Sequence, residues 1–295
     1  MRVIVLAERR YGKQAQPAGV AAELARRGCE VIQVDPASTA VEVTCSGWLG
    51  SADICVARGR SQAVLSLLAA AEAAGAPAVN SSRSTAAVRD KAGMAAVLAG
   101  AGIPTPSTYI GSAASLASEI PAARYPLIVK PILGDNCQGL RRIDAVAELS
   151  DDSGGRDEAV LAQPYVPGPG YDLKLYGIGD HVWAVRKRSP FAATVEAYAG
   201  SRAESGPRSE YKSTSNGAQA EQAAESAPLT PRLRELALAC RSLFGLELYG
   251  VDCLETDAGP LVIEVNEFPN YTAVPGADQR LADYVIAKAA GVRSR

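Results

Sequence analysis

Three oxygen-bearing side chains near the carboxyl end of the chain have the types and spacing of a divalent-metal site. Asp252 lies in one apolar run, and Glu264 and Asn266 lie in the next, beyond a Gly-containing turn. Side chains two apart in a strand face the same side, and a hairpin places Asp252 opposite the other two. Carboxylate and amide oxygens suit Mg²⁺, which keeps water and substrate phosphate as its other ligands. The alternative is acidic residues that merely face water, but this hairpin is otherwise apolar.

A basic run precedes this hairpin in the chain. Arg186 and Arg188 stand two apart in a predicted strand, on one face, with Lys187 between them. Two guanidinium groups on one face suit bidentate capture of phosphate or carboxylate oxygens. A solvated basic strand is the alternative, but three cations beside a metal site favour chemistry that stabilises negative charge.

The first hundred residues would position one wall of such a site. Short apolar runs alternate with Ala- and Leu-rich stretches, which predicts a mostly parallel, doubly wound sheet. The predicted strands are Val3–Ala7, Cys29–Val34, Asp53–Ala57 and Ala76–Asn80, and the predicted helices are Pro17–Arg27, Ser61–Ala74 and Thr85–Ala101. Ligands gather at the strand carboxyl ends of such sheets, which points to Glu8, Arg58 and Asn80. No G-x-G-x-x-G follows the first strand, so the dinucleotide fingerprint is absent.

The architecture changes after the proline pair at Ile103-Pro-Thr-Pro106. Further strands are predicted at Leu127–Lys130, Val160–Val166, Leu173–Gly177, Val182–Arg188, Tyr249–Glu255 and Leu261–Val265, with helices at Pro231–Leu243 and Ala277–Ala290. A hairpin turn at Gly177–Asp180 indicates antiparallel pairing. Ala, Ser, Gly, Glu and Gln dominate the segment 191–228, and a connection of that length inside a domain is uncommon unless it is functional.

Composition limits the class of protein. The chain has 295 residues, 47% of them hydrophobic and 21% charged, which is typical of a globular protein of two or three compact units. A formal charge of −2 offers no cationic field for nucleic acid. No signal peptide or apolar run of about 18 residues is present, so we expect a cytoplasmic protein that does not contact membrane. Six dispersed cysteines and one histidine give little support for a zinc site or a disulfide framework.

Four motifs occur in a specific order. Pro126-Leu-Ile-Val-Lys130-Pro is followed by the glycine-containing loop 134–139, by Gln163-Pro-Tyr-Val166 and by the Asp…Glu-x-Asn cluster. In this order and spacing, the sequence resembles the ATP-grasp superfamily over roughly 81–276. Asn80-Ser-Ser and Arg89-Asp-Lys91 look most like the RimK-type glutamate ligases and their relatives in amino-acid biosynthesis.

The resemblance implies a fold class and a division into domains. The fold is α/β and α+β, with an N-terminal doubly wound parallel-sheet domain followed by a two-subdomain ATP-grasp fold. We expect the N-terminal domain at 1–104, a small lid subdomain at 105–166, and a C-terminal subdomain at 167–295 that carries the metal site and a mobile loop at 191–228. ATP is then clamped between the two subdomains together with Mg²⁺, or alternatively Mn²⁺.

The resemblance also implies roles for individual residues. The nucleotide-binding set is Lys91, Lys130, Gly134, Gly139, Gln163, Tyr165, Val166 and Asp172. Lysines neutralise phosphate charge, glycines let backbone N–H groups approach phosphates, and the segment 163–166 forms the adenine hinge. Lys174, Arg186 and Arg188 are the catalytic cations, and Arg58, Asn80 and Lys212 are the substrate contacts. Lys212 stands where the RimK-type F-R-S-N stretch has arginine.

The activity implied is that of a carboxylate–amine ligase. ATP would phosphorylate a substrate carboxylate, and an amine would attack the acylphosphate to form an amide, with release of ADP and phosphate. The alternative is an inositol polyphosphate kinase of the same fold, which Asn266-Glu-Phe-Pro-Asn-Tyr271 and Val185-Arg-Lys-Arg-Ser189 also resemble. A third hypothesis is an ATP-binding regulatory protein without turnover. Partners are small carboxylates and amines, and the relatives imply a homodimer or homotetramer. The sequence does not identify the substrate.

Overall fold

The structure is a computed structural model that describes residues 1–12, 14–44, 47–135, 137–150, 159–189 and 224–293. The first sheet is parallel, in the order β2-β1-β3-β4. Its elements are β1 (Arg2–Ala7), α1 (Ala15–Arg26), β2 (Glu30–Val34), α2 (Gly47–Gly50), β3 (Ile54–Arg58), α3 (Gln62–Ala73) and β4 (Ala78–Val79). The central strand β1 has four fully buried residues in succession, from Val3 to Leu6, as expected for a strand covered on both faces.

Two helices follow where the sequence predicts one. The predicted helix Thr85–Ala101 is divided at Asp90 into α4 (Ser82–Arg89) and α5 (Lys91–Gly100). Asp90 has an extended backbone, and its carboxylate accepts from the backbone N–H groups of Ala92 and Gly93, each over 3.0 Å. An aspartate in this position caps a new helix. Lys91 is therefore the first residue of α5, where the backbone also approaches Ile132.

The second sheet is antiparallel, in the order β5-β8-β6-β7. It contains β5 (Tyr109–Gly111), α6 (Ala113–Glu119), β6 (Leu127–Pro131), β7 (Arg141–Ile143), α7 (Val146–Ser150) and β8 (Val160–Pro164). Strands β5 and β7 have three residues each, so they are too short to be predicted from the sequence pattern. Leu127, Val129, Ala162 and Leu116 form its separate core.

The third sheet is also antiparallel, in the order β11-β10-β9-β12-β13. Its elements are β9 (Tyr171–Ile178), β10 (His181–Arg188), β11 (Ala224–Ala227), α8 (Pro231–Phe244), β12 (Leu248–Thr256), β13 (Gly259–Glu267) and α9 (Ala277–Arg293). Part of the predicted loop 191–228 is thus the strand β11, which pairs with β10. Residues 191–223 of that loop lie outside the described residues. Helix α8 begins after the capping residue Thr230 and ends before Gly245, whose φ of 64° is left-handed.

The two faces of this third sheet have different partners. Leu173, Val251 and Val262 pack on one side against residues of α5 and α8. On the other side, Tyr176 and Leu248 join Val3 and Val56 of the first sheet in a core that also includes α9. The N-terminal domain therefore packs directly on the sheet that carries the predicted metal ligands. Within the described ranges, each helix is too short or too polar to cross a bilayer.

Candidate functional site

The antiparallel register aligns charged side chains across the third sheet. Lys187 of β10 lies opposite Asp172 of β9, and Lys174 of β9 lies opposite Asp252 of β12. Asp252 in turn lies opposite Glu264 of β13. The Lys174 ammonium donates to Asp252 Oδ2 over 2.7 Å. A row of charged groups of both signs therefore crosses four strands on one face.

The three predicted metal ligands come together in this row. Glu264 and Asn266 are two apart on β13 and share a face, and Asn266 lies opposite Gly250, which has no side chain to crowd it. No group of three or more His, Cys, Asp or Glu side chains forms a metal cluster among the described residues, so a three-donor site here requires the amide of Asn266. Two carboxylates and an amide are hard oxygen donors that fit Mg²⁺.

Each of these donors faces a cation. Lys174 contacts Asp252, and Lys91 Nζ lies 3.2 Å from Glu264 Oε1. Burial alone would raise the pKa of Glu264, but Lys91 and the neighbouring cations lower it below its usual value. The carboxylate is therefore held ionised, which is the form that binds a metal ion.

Two further lysines approach from other elements. Lys91, at the start of α5, also donates to the carbonyl of Gly134 over 2.7 Å and is only 8% exposed. Lys130 lies on β6, where burial lowers the pKa of its ammonium while Glu264 acts in the opposite direction. Ammonium groups from α5, β6 and β9 thus surround one carboxylate.

The loop 134–139 is anchored to the N-terminal domain. Asp135 accepts a hydrogen bond from the Tyr11 hydroxyl, beside the contact between Gly134 and Lys91. Gly139 has a φ of 71°, and a Cβ there would lie 2.9 Å from Pro131 Cγ, so the position requires glycine. Asn136 of this loop lies outside the described residues.

The segment 163–166 lies at the end of β8. The carboxamide nitrogen of Gln163 donates to Thr108 Oγ1 over 2.9 Å, and the side chain is 5% exposed. The Tyr165 N–H donates to Pro126 O over 2.8 Å, and the guanidinium of Arg142 lies 4.6 Å from the centre of the Tyr165 ring. The Gln163 carboxamide nitrogen is therefore engaged with Thr108, and the contact of the segment 163–166 with adenine stays a prediction.

Asp172 and Lys174 are neighbours on the same face of β9. Burial, reinforced by Asp252 and opposed by Lys174, raises the pKa of Asp172 to about 6. Burial alone would lower the pKa of Lys174, but Asp252 raises it above its ordinary value. Lys174 is therefore a permanent cation, whereas Asp172 titrates near neutral pH.

Comparison with known proteins shows the family of the chain. The family model described as a RimK-like ATP-grasp domain matches residues 88–283. The chain belongs to the RimK-like ATP-grasp family. The resemblance seen in the motifs is thereby confirmed, and the chain belongs to a family of ATP-grasp enzymes.

The chain is similar to relatives of two kinds. Inositol-tetrakisphosphate 1-kinase 5 of Oryza sativa subsp. japonica is 29% identical over 195 residues, which cover 62% of this chain and 57% of the relative. A probable alpha-L-glutamate ligase of Citrobacter koseri is 30% identical over 192 residues, which cover 63% and 58%. The ribosomal protein bS6–L-glutamate ligase of Shigella flexneri is 29% identical over 202 residues, which cover 66% and 61%. The chain spans about three fifths of the length of these curated relatives.

Solved structures support the same fold over nearly the whole chain. A RimK domain ATP-grasp protein of Sphaerobacter thermophilus superposes with a TM-score of 0.72 at 21% identity, covering 97% of this chain and 100% of that one. D-alanine–D-alanine ligase of Bacillus anthracis, crystallised with ATP, gives 0.70 at 18% identity and covers 100% and 99%. The predicted fold class is confirmed.

Two predicted catalytic residues, Arg186 and Arg188, do not reach the row of charged groups. Arg186 and Arg188 do share one face of β10, but the register turns Lys187 toward Asp172 and directs both arginines to the opposite face. Arg186 lies 3.6 Å from Glu255 and 4.7 Å above the Tyr171 ring, and its side chain is 43% exposed. The structure thus brings Lys187, and not the two arginines, to the row of charged groups.

The predicted substrate contacts also differ in placement. Asn80 is 3% exposed, and its carboxamide donates to Leu248 O and accepts from the N–H groups of Glu247 and Leu248. It therefore joins β4 to β12 and does not face the cleft. The Arg58 guanidinium donates to Phe268 O and to Gln14 Oε1, whereas Lys212 lies outside the described residues.

Sequence reasoning missed Arg60, which is two residues beyond Arg58. Its terminal nitrogen donates to Asn266 Oδ1 over 2.5 Å, and the side chain is 12% exposed. Arg60 could have been found from its position just past β3, because ligands bind at the carboxyl edge of a parallel sheet.

Proposed function

We propose that the chain is an ATP-dependent carboxylate–amine ligase that joins small amino-acid-like substrates through an acylphosphate. One observation carries the proposal: oxygen donors of β12 and β13 share one face with ammonium groups from three separate elements. The donors are Asp252, Glu264 and Asn266, and the ammonium groups are those of Lys91, Lys130 and Lys174. Such a constellation can align a triphosphate and stabilise its transferring charge.

A metal ion completes this site. Asp252, Glu264 and Asn266 would hold Mg²⁺, with Mn²⁺ as the alternative, and the ion would supply charge stabilisation for the phosphoryl group during transfer. The lysines contribute the remaining positive charge. Lys91 and Lys130 flank Glu264 from the side of the second sheet, which is where we place the phosphates of ATP.

The reaction balances without a histidine base in the first step. A substrate carboxylate oxygen forms a bond to the γ-phosphorus, the bond from that phosphorus to the β-bridging oxygen breaks, and ADP leaves. An amine nitrogen then bonds to the acyl carbon, the bond from that carbon to the phosphate oxygen breaks, and the nitrogen gives its proton to the phosphate that leaves. Lys174 and Lys187 lie in the row of charged groups on the third sheet. Their ammonium groups stabilise the oxyanions that form in the two steps.

Water must be excluded because acylphosphates hydrolyse. The glycine-containing loop 134–139 is tied to the N-terminal domain through Tyr11 and to α5 through Lys91. These contacts support a closed arrangement of the loop over the phosphates. Tyr165 and Val166 directly follow β8, and we propose that they contact the adenine base.

A kinase that phosphorylates a hydroxyl of an inositol phosphate-like polyol is the second candidate. Its support is the 29% identity with inositol-tetrakisphosphate 1-kinase 5 over 195 residues. Lys187 and Arg60 would then hold substrate phosphates. The near-zero net charge of the chain gives no general attraction for a polyphosphate, so we favour the ligase.

Product analysis separates these candidates. The protein is incubated with Mg²⁺, ATP and panels of amino acids, small carboxylates and inositol phosphates, and ADP and phosphate are measured separately. A ligase releases both ADP and phosphate only when a carboxylate and an amine are present. A kinase releases ADP without phosphate and yields a phosphorylated polyol. No turnover with any panel, despite ATP binding, would support a regulatory protein.

Three expectations about the whole protein stay predictions. They are the cytoplasmic location, the assembly as a homodimer or homotetramer, and the contact of Lys212 with substrate. Gel filtration with light scattering tests the assembly, and the effect of Lys212→Ala on substrate KM tests the contact.

A further inference from the structure

The backbone around Arg60 is held in place from two sides. Arg89 donates to the carbonyls of Gly59 and Ser61, the latter over 3.0 Å. The Ser61 N–H donates to Glu8 Oε1 over 2.5 Å. A Cβ at Gly59 would lie 3.0 Å from Glu8 Cγ and from Val64 Cγ2, so a side chain there would crowd both neighbours. The direction of Arg60 is therefore fixed by its neighbours.

The Arg60 guanidinium uses little of its capacity to donate. Apart from the contact with Asn266, the nearest acidic oxygens are Glu267 Oε2 at 3.4 Å, and Glu264 Oε1 and Asp135 Oδ1 at 4.0 Å. The terminal nitrogen Nη1 is buried and pairs with Glu267 Oε2 at 3.4 Å, but it makes no hydrogen bond among the described residues. A guanidinium carries five N–H donors, so several of them are held only by these longer ion pairs.

Arg58, its neighbour, is engaged. One terminal nitrogen donates to Phe268 O over 2.6 Å and the other to Gln14 Oε1 over 3.0 Å. The guanidinium also lies 4.6 Å from the centre of the Tyr11 ring. These contacts tie β3 to the residues after β13 and use both terminal nitrogens of Arg58, whereas in the described part of the chain the terminal nitrogens of Arg60 make one hydrogen bond, to Asn266.

Metal binding would change the surroundings of Arg60. Glu264 and Asn266 would hold a divalent ion, and Arg60 would then lose Asn266 Oδ1 as its hydrogen-bond acceptor. The guanidinium stays charged, because an arginine side chain is not deprotonated in proteins. Arg60 would therefore offer its N–H donors to an oxyanion of a ligand bound beside the metal ligands.

We propose that Arg60 binds an oxyanion of the acceptor substrate beside the metal ligands. The identity of that oxyanion rests on the function proposed above: it is a carboxylate for the ligase and a phosphate for the kinase. The planar, forked guanidinium suits either group. Arg60 would therefore be a substrate-binding residue supplied by the N-terminal domain.

Binding titrations test the proposal without turnover. L-glutamate and inorganic phosphate are titrated separately into protein saturated with Mg²⁺ and ADP, and heat is measured. We compare the unmodified protein with Arg60→Gln, Arg60→Lys and the control Arg241→Gln, which removes a partly exposed arginine whose Nη1 lies 3.1 Å from Asp180. Arg60→Gln should weaken at least one probe about tenfold or more, because a charged hydrogen bond is lost. Arg60→Lys should weaken it less, and Arg241→Gln and the ADP affinities should not change.

The probe that responds identifies the oxyanion, a carboxylate if it is L-glutamate and a phosphate if it is inorganic phosphate. Unchanged affinity for both probes in Arg60→Gln, or an unmodified protein that binds neither, would overturn the proposal. If Arg60→Gln does not unfold cooperatively, Arg60→Lys decides, because it keeps the charge but loses the fork, and unchanged affinity then overturns the proposal. Failure of the ligase screen leaves these titrations unaffected, so the two proposals fail separately.

Discussion

Lys91 Nζ lies 3.2 Å from Glu264 Oε1 and 2.7 Å from Gly134 O. One ammonium group at the start of α5 thus contacts both a metal-ligand candidate on β13 and the loop expected to cover the phosphates. Its position depends on the helix break at Asp90, which makes Lys91 the first residue of α5. The buried side chain of Lys91, which is 8% exposed, therefore connects β13 with the loop 134–139.

The metal assignment predicts that Glu264→Gln nearly abolishes turnover. The amide is nearly isosteric, but it removes a charge from the metal site, and electrostatic stabilisation worth several kcal/mol is lost. We expect kcat to fall at least about 100-fold, since each factor of ten corresponds to about 1.36 kcal/mol. Mn²⁺ binding in the presence of ADP, followed by electron paramagnetic resonance, should weaken in parallel.

Glu255→Gln is the matched control for that variant. Glu255 lies on the neighbouring strand β12 and contacts Arg186 on the face away from the cleft. Turnover and Mn²⁺ binding should stay within about twofold of the unmodified protein, because exposed ion pairs contribute at most about 1 kcal/mol. Equal rates for Glu264→Gln and Glu255→Gln would remove the metal assignment.

Lys130→Met should raise the KM for ATP, and its effect on the free energy of unfolding should be smaller. Burial lowers the pKa of Lys130, so its ammonium is poorly solvated and gains most from a phosphate partner. Hydrogen bonds to charged groups contribute about 1.5–3 kcal/mol, which corresponds to a rise in KM of about tenfold to a hundredfold. Lys288→Met, which removes a partly exposed lysine paired with Glu247, is the control. Unaltered nucleotide kinetics in Lys130→Met would count against the phosphate contact.

The register of β10 predicts a contrast between two adjacent cations. Lys187 faces Asp172 in the charged row, whereas Arg186 lies 4.7 Å above the Tyr171 ring on the other face. Lys187→Ala should lower kcat/KM about tenfold or more, and Arg186→Ala should change it by less than about fivefold. Steady-state kinetics with the substrate found in the screen measure both. A larger loss for Arg186→Ala would restore the interpretation made from sequence.

These two cations show how far the sequence predicted the site. The hairpin that carries Asp252, Glu264 and Asn266 could be predicted, because strand alternation and a tight turn are local properties. Local alternation also places Arg186 and Arg188 on one face. Which face of the β9–β10 hairpin meets the cleft depends on the pairing of β9 with β12, where Lys174 lies opposite Asp252 far along the chain, and no local pattern contains that information.

Two other misses have the same origin. Asn80 follows a strand of the parallel sheet, as a ligand contact would, but the packing of the C-terminal sheet against it places β12 over its carboxamide. Arg60 lies beyond the strand end in a turn whose direction is set by Arg89 and Glu8, from other elements. The helix break at Asp90 could have been predicted more easily, because aspartate before a helical run is a typical cap.

The stability of the nucleotide-free protein should depend on pH through Asp172. Burial, with Asp252, raises the pKa of this carboxyl to about 6 in the folded protein, against about 3.9 in an unfolded chain. The folded state therefore binds the proton more tightly. The resulting stability is fully present below about pH 3.9 and is lost as the pH rises through about 6. Urea unfolding midpoints between pH 4.5 and 7.5 measure this loss.

Asp172→Asn removes that titration and serves as its reference. The midpoint of the unmodified protein, minus that of Asp172→Asn, should decrease as the pH rises through 6. The comparison cancels the titrations of groups common to both proteins. A difference between the midpoints that stays constant over this range, or grows with pH, would contradict the raised pKa.

Asn80 should act on stability rather than on substrate binding. Its carboxamide satisfies three backbone groups of Glu247 and Leu248 at a position that is 3% exposed. Asn80→Ala leaves those buried groups without partners, which should reduce the free energy of unfolding by about 2–4 kcal/mol. Urea unfolding measures the loss, and kinetics well below the melting temperature should show kcat and both KM values within about twofold of the unmodified protein. An unchanged unfolding midpoint together with a raised substrate KM would instead place Asn80 in contact with the substrate, as the sequence pattern suggested.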